Sequence, residues 1–316
     1  MKPASFVKRG VAHAGYRLVE WLSPRLPLRT VFRLADRLAD VQWRRSPRAR
    51  AAVEANLSTF FEAAAGGADR SGRKVFRNFA RYLVEFFGIR RGECPALAVE
   101  GGSHLERCRA FGRGAILLTG HLGNWELGAV LIRRMGVPVT VVALPHPDPR
   151  TDRLFTRQRQ RCGLGVIPLG AGVARRSLRR LNEGELLGLP GDWDFTGAGL
   201  TVPFGGGSLT MPRGPAVLSL RSGAPVLPVF LIREGDWAFR LFIEPPIWPG
   251  DSERGEAAVR SLTRRYAGVI ERYVRRFPEQ WLIFHEAIQP LDSGLGAHGW
   301  GHVPGVQNPE PSAALQ

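Results

Sequence analysis

The spacing of apolar positions changes character near residue 95 of this 316-residue chain. Before that point the stripes are helical. Over residues 4–22, Val7, Val11, Ala14, Leu18 and Leu22 fall on one face, while Lys8, Arg9 and Arg17 lie elsewhere and Pro24 and Pro27 end the pattern. Residues 28–62 and 71–88 predict further helices, separated by the break Ala65-Gly-Gly-Ala-Asp69. Beyond residue 95, short apolar runs alternate with helix-period segments. Strands are predicted at 115–119, 137–143, 165–168, 186–189, 226–232 and 238–243. Helices are predicted near 125–135, 150–162, 173–183 and 213–222, with a charged helix over about 253–276.

That alternation predicts an α/β fold: a mostly parallel sheet flanked by helices, preceded by a helical segment. The last strand pair, around Glu234-Gly-Asp236, reads as antiparallel. Three regions follow: an N-terminal helical segment over 1–70, suited to membrane association, an α/β body over 71–290, and a tail over 291–316. The tail is rich in Gly, Pro and Ser with little apolar periodicity, and is expected to be disordered. No internal repeat is present, and no apolar run reaches the roughly 18 residues of a bilayer span.

Charge sharpens the picture. The chain carries 44 basic residues, of which 41 are arginines, against 28 acidic ones, a net charge of +16. Residues 1–95 hold 19 basic and 8 acidic side chains, so +11 of that total lies in the first third. Such a field suits an anionic membrane face or an acidic partner, and residues 4–22 fit either a basic amphipathic helix lying in a membrane interface or a helix packed on the protein's own body. Nucleic acid is not expected as a partner, because zinc spacing, basic heptads and RNA-binding aromatic motifs are all missing. The cysteines Cys94, Cys108 and Cys162 show neither paired spacing nor a metal pattern, which fits a reducing compartment. No metal and no cofactor are expected.

Candidate chemistry centres on Thr119-Gly-His-Leu-Gly-Asn-Trp-Glu126, between a predicted strand and a predicted helix. Within one helix, five residues turn through about 500°, leaving two side chains about 140° apart. His121 and Glu126 can therefore cooperate only if His121 lies in the turn. With Asn124 as N-cap, Glu126 falls in the first helical turn, where the macrodipole favours its charge. A carboxylate on one imidazole nitrogen fixes the tautomer, and the other nitrogen can accept a hydroxyl proton. The chain has no Gly-x-Ser-x-Gly nucleophile elbow, so the substrate would bring its own hydroxyl. A structural histidine capping a turn accounts for the same residues, and both readings stand at this point.

The motif resembles the signature of the late acyltransferases of lipid A biosynthesis, the lauroyl/myristoyl transferase family, and of related phosphatidylinositol mannoside and lysophospholipid acyltransferase-like proteins. Further matches, in order, are Phe76-Arg-Asn-Phe-Ala-Arg-Tyr82 with Glu85-Phe-Phe87, Val202-Pro-Phe-Gly205, Met211-Pro-Arg-Gly-Pro-Ala216, Gly223-Ala-Pro-Val-Leu-Pro228 and Pro278-Glu-Gln-Trp-Leu282. The resemblance covers about residues 70–285. It implies a lysophospholipid acyltransferase-like sheet, with transfer of a fatty acyl group from an acyl carrier protein or acyl-CoA thioester to a hydroxyl of a membrane glycolipid. It also implies His121 as general base, Glu126 as its partner, direct attack without an acyl-enzyme, and a location at the cytoplasmic face of the bacterial inner membrane. Gly191-Asp-Trp-Asp194, followed by Phe-Thr-Gly-Ala-Gly, is somewhat closer to the mannoside-acylating branch.

Other residues are candidates for binding substrate: Asn124, Arg153 and Arg157 beyond the strand predicted at 137–143, Asp192 and Asp194, and Arg213 at a predicted helix start. Asp192-x-Asp194 also fits a divalent-cation site of a glycosyltransferase, the runner-up reading. A non-catalytic membrane-surface binding protein is the third.

Overall fold

The computed structural model describes residues 3–60, 67–89, 94–250 and 254–290, with side chains before residue 12 and at 67–70 excepted. The tail expected over 291–316 and residues 65–66 of the expected break lie outside the described residues, whereas residues 67–69 of that break already belong to a helix.

Four helices come first: α1 (Pro3–Leu22), α2 (Leu28–Arg45), α3 (Pro47–Ser58) and α4 (Gly67–Gly88). The single helix predicted over 28–62 is divided because Ser46 precedes a proline. The pyrrolidine ring disfavours helical backbone at that residue, and Ser46 sits at φ −120°, ψ 66°. Pro47 then opens α3, where a missing N–H costs nothing. Part of the basic charge in this region is neutralised internally. Arg73 and Arg77 both grip Asp40, and Arg81 grips Asp36, so arginines of α4 clamp carboxylates of α2.

The α/β body then runs β1 (Ala96–Glu100), α5 (Gly102–Phe111), β2 (Ala115–Thr119), α6 (Trp125–Arg134), β3 (Val139–Ala143), α7 (Pro149–Arg161), β4 (Gly165–Pro168), α8 (Val173–Asn182), β5 (Leu186–Pro190), β6 (Leu200–Phe204), β7 (Gly207–Met211), α9 (Gly214–Ser222), β8 (Val226–Gly235), β9 (Ala238–Ile243), α10 (Gly255–Arg276), a 3-10 turn (Pro278–Gln280) and β10 (Ile288–Gln289). The main sheet has seven strands in the order β1-β9-β8-β2-β5-β3-β4. Its pairs are parallel except β8–β9, a hairpin. A small antiparallel sheet, β10-β7-β6, stands apart from it.

The six strands anticipated from periodicity are present. Those missed are β1, with only a partly buried face, and the short β6, β7 and β10. The strands β2, β5, β3 and β4 end on one edge. Crossover helices return from there, so the turns after β2, β4 and β5 gather along the carboxyl edge of the sheet, where ligands bind in such folds.

Asn56 ties the N-terminal helices to the end of the body. It is buried, donates from Nδ2 to the His285 carbonyl at 2.7 Å, and accepts at Oδ1 from the Ala287 amide at 2.9 Å. Asn56→Ala orphans both groups and should cost about 1–3 kcal/mol in denaturant unfolding. Stability unchanged within about 0.5 kcal/mol, the range of an ordinary surface substitution, would contradict this role.

Candidate active site

His121 sits in the turn where β2 leaves the sheet, beside the exit of β5. Those strands pair with Thr119 opposite Pro190, and the Gly191 amide donates to the Thr119 carbonyl at 2.7 Å. The register therefore sets His121 next to Asp192. Gly120 makes the approach possible, since a Cβ there would stand 2.9 Å from Asp192 Oδ2. Gly123 turns the chain at φ +64°, and a Cβ there would meet the Leu231 carbonyl at 2.0 Å.

The imidazole is held firmly. His121 Nδ1 lies 2.7 Å from Asp192 Oδ1, and the His121 backbone amide donates to Oδ2 at 2.7 Å. The Trp281 indole donates to the same Oδ2 at 2.9 Å. The His121 carbonyl accepts from the Leu282 amide at 2.7 Å. Trp125 and Trp193 meet the imidazole edge-on, with centroids at 4.9 and 5.7 Å. Nε2 has no hydrogen-bond partner among the described residues.

Asp192 is fully buried. Burial alone would push its carboxyl pKa up, but the neighbouring charge of His121 and hydrogen bonds from its ring, the Trp281 indole and the His121 amide hold it below the ordinary carboxylate range. His285, stacked on Trp193 at 4.1 Å, is pushed down to about 4, first by burial and then by the charge of His121, with Asp192 opposing. It is neutral at physiological pH, and so cannot compete for the carboxylate as a second cation.

The expected contact between His121 and Glu126 is not made. Asn124 caps α6 by accepting from the Leu127 amide at 3.0 Å, and Glu126 lies in the first turn. Its carboxylate turns to Arg159 of α7, whose Nε reaches both oxygens at 3.1 and 3.0 Å. A buried carboxylate needs a countercharge, and a guanidinium fork gives two fixed bonds where an imidazole gives one. Both residues border the same cavity as His121, so Glu126 holds a buried arginine at the site rather than the histidine.

The other candidates separate clearly. Asn124 is fully buried, and its Nδ2 donates to Glu85 at 2.8 Å, which in turn binds Arg233; its polar atoms brace the turn rather than face a ligand. Arg153 and Arg157 are exposed on α7 and do not line the cavity, because the helical period that buries Arg159 turns them outward. Asp194 lines the cavity but organises its own loop, accepting from the Thr196 amide at 3.0 Å and the Gly199 amide at 2.8 Å. With Asp192 committed to His121 and Trp281, the two carboxylates do not converge on a cation, and the glycosyltransferase reading loses its site. Arg213 borders the cavity at the start of α9 and pairs with Glu256 through Nη1 at 3.0 Å.

The cavity measures about 1540 Å³, above the roughly 300–1,000 Å³ of a single small-molecule site. An apolar branch runs between α6 and the sheet, lined by Leu117, Ala129, Ile132, Val141, Val229 and Leu231. Fold and site thus define an α/β protein with a partly buried histidine held by a buried aspartate at the strand ends, beside a large, mainly apolar chamber.

The chain belongs to the bacterial lipid A biosynthesis acyltransferase family, which it matches over residues 10–289. It is 32% identical over 219 residues to a phosphatidylinositol mannoside acyltransferase of Mycolicibacterium smegmatis, covering 66% of this chain and 69% of that one. A protein of the same name from Mycobacterium tuberculosis (strain CDC 1551 / Oshkosh) is 30% identical over 215 residues, 65% and 66% of the two chains. A lipid A biosynthesis acyltransferase of Haemophilus influenzae is 29% identical over 86 residues, 27% of each. The protein is a lipid acyltransferase, with an acyl donor and a lipid acceptor, and the non-catalytic binding reading falls with that finding.

Replacing the clamp should show in acid unfolding. Because the folded Asp192 carboxyl is held below its ordinary value, its ionisation stabilises the fold above the unfolded pKa of about 3.9, and that contribution is lost as pH falls further. Asp192→Asn should therefore be less stable than wild type near neutrality and lose less stability on acidification below about pH 4. Parallel stability curves for the two proteins would contradict the assignment.

Proposed function

We propose that the protein transfers a fatty acyl group from an acyl carrier protein or coenzyme A thioester to a hydroxyl of a membrane glycolipid, with His121 as general base. Asp192 accepts a hydrogen bond from Nδ1–H, which leaves Nε2 as the basic nitrogen. Nε2 takes the proton of the acceptor hydroxyl as its oxygen attacks the thioester carbonyl; the tetrahedral oxyanion that forms collapses, the carbon–sulfur bond breaks, and the leaving sulfur takes the proton from Nε2, so that the thiol departs and the ring is neutral again. No residue of the protein is acylated. The observation that carries this reading is the clamp on His121: Asp192 Oδ1 holds the ring at Nδ1, Oδ2 accepts from the His121 amide and from the Trp281 indole, and His121 borders the apolar chamber. The branch between α6 and the sheet accommodates the acyl chain. The mannoside-acylating relatives favour a glycosylated phosphoinositide as acceptor.

General-base catalysis contributes about 10²–10⁴ in rate. With labelled acyl thioester and glycolipid acceptor, His121→Ala should lose activity by that order when assayed well below its thermal midpoint, which itself falls because buried Asp192 loses one of its three donors. Near-wild-type turnover by this variant would overturn the reading.

Attachment to the cytoplasmic face of the bacterial inner membrane rests on α1 and α2. Leu18, Trp21, Leu26, Leu34, Leu38 and Val41 are exposed there, interspersed with exposed Arg17, Arg25, Arg29, Arg33 and Arg37. Apolar anchors among cations suit an anionic lipid surface. Among the described residues no helix is long and apolar enough to cross a membrane. Tyr16 of α1 also lines the cavity, so the proposed interfacial helix borders the chamber. Flotation with anionic vesicles should weaken as salt rises and on deletion of residues 1–22. Flotation undiminished by both treatments would contradict this attachment.

A further inference from the structure

The chamber has a polar corner near His121, where α1, α4, α6 and α7 meet. Tyr16 of α1, Tyr82 of α4, Glu126 of α6 and Arg159 of α7 line it, with His146 from the loop before α7. Ring contacts tie the corner together. Trp125 meets the His121 imidazole at 4.9 Å and stacks on Tyr82 at 4.5 Å. The Arg159 guanidinium lies over Phe155 at 5.8 Å, and the same Phe155 ring meets Tyr16 edge-on at 5.3 Å and His146 at 4.6 Å.

Four polar groups of this corner make no hydrogen bond with a described residue: the Tyr16 and Tyr82 hydroxyls, the His146 ring and Arg159 Nη1, Glu126 engaging only the other two nitrogens of that guanidinium. Tyr82 is only 4% exposed and Arg159 only 8%. Buried polar groups nearly always have a partner, and one without needs a reason. None of these atoms is sealed in packing, so the buried Tyr82 and Arg159 open on the chamber that they line. The set is also neutral. Glu126 cancels the charge of Arg159. Burial raises the hydroxyl pKa of Tyr16 and of Tyr82, and at Tyr82 the charge of Glu126 adds while that of Arg159 opposes. His146 is lowered first by burial and then by Arg159, with Asp152 and Glu126 opposing. At physiological pH both hydroxyls keep their protons and the imidazole is uncharged. A tyrosine hydroxyl and a neutral imidazole each donate and accept. So does a sugar hydroxyl, whereas an ionised phosphate needs donors alone, and aromatic walls suit the apolar faces of a sugar ring.

We infer that Tyr16, Tyr82, His146 and Arg159 form a subsite for a neutral polyhydroxyl ring, a hexosyl or inositol unit of the acceptor headgroup. That the ring belongs to the acceptor rests on the acyl-transfer reading; the chemistry of the subsite does not. One aromatic ring, Trp125, lies between Tyr82 and His121, so a headgroup held here keeps a hydroxyl close to the imidazole. Glu126 then serves the reaction at one remove: it fixes Arg159 with Nη1 turned to the ligand, in place of a bond to His121.

The double variant Tyr16→Phe/Tyr82→Phe removes the two hydroxyls and keeps the rings. Neither hydroxyl has a protein partner, so the thermal midpoint should hold. Ligand-observed NMR titration of the full chain, without thioester so that no turnover intervenes, uses methyl mannoside, myo-inositol and glycerol phosphate as probes. Wild type should bind one or both sugars, and losing two neutral hydrogen bonds should weaken that binding about tenfold or more. In turnover assays the acceptor KM should rise by a similar factor while the donor KM stays put. Binding of methyl mannoside assigns the subsite to the hexosyl unit and binding of myo-inositol to the inositol; either supports it. Wild type that binds neither sugar, glycerol phosphate bound more tightly than both, or equal sugar binding by wild type and double variant would overturn it. Wild type that binds a sugar through these hydroxyls yet never transfers an acyl group would defeat the functional reading and leave the subsite standing. Acyl transfer with an acceptor KM unmoved by the double variant would do the reverse.

Discussion

Everything in this site depends on burying one carboxylate. Asp192 is closed off from solvent, and an isolated charge there would be severely penalised. Three donors make it tolerable: the His121 ring, the His121 amide and the Trp281 indole. Those donors come from two places in the chain and the carboxylate from a third, so it fastens the turn after β2, the loop after β5 and the segment after α10 to one point. The imidazole is thereby aligned by a group that also organises the surrounding fold. The geometry that the proposed catalysis requires is the same geometry that holds these segments of the fold together.

A second buried charge pair lies on the opposite flank. Glu126 and Arg159 join α6 to α7 at the chamber wall. A third, Glu85 with Arg233, joins α4 to β8 and braces the Asn124 turn. These pairs surround the His121 turn on the sides where helices from the N-terminal region and the body meet. Such pairs contribute little net stability against apolar alternatives, yet removing one partner is strongly destabilising. They therefore specify how the elements around the chamber are placed.

Much of the architecture was legible in the pattern of the chain. The six main strands, the crossover helices and the Asn124 cap all follow from local periodicity and capping chemistry. The hairpin β6–β7 was missed because five-residue strands with isolated apolar positions do not stand out from loops. In the site, His121 was visible because a histidine in a glycine-rich strand-to-helix turn is unusual. Its partner was assigned to Glu126 because that carboxylate is close in sequence. Asp192 is 71 residues away, and only the pairing of β2 with β5 brings it near. The available clue was that Gly191-Asp-Trp-Asp194 also ends a strand predicted to be parallel, and therefore on the same edge. Trp281 gave no such clue, since its indole reaches the carboxylate through tertiary packing alone.

The central claim is that Asp192 sets the proton on Nδ1 and leaves Nε2 free. Nitrogen-15 NMR of protein labelled at its seven histidines, with His121 assigned by its loss in His121→Gln, reads the tautomer directly. The account predicts neutral His121 protonated at Nδ1, with a strongly deshielded ring proton that exchanges slowly. A neutral ring protonated at Nε2, or one alternating freely between the two nitrogens, would contradict it.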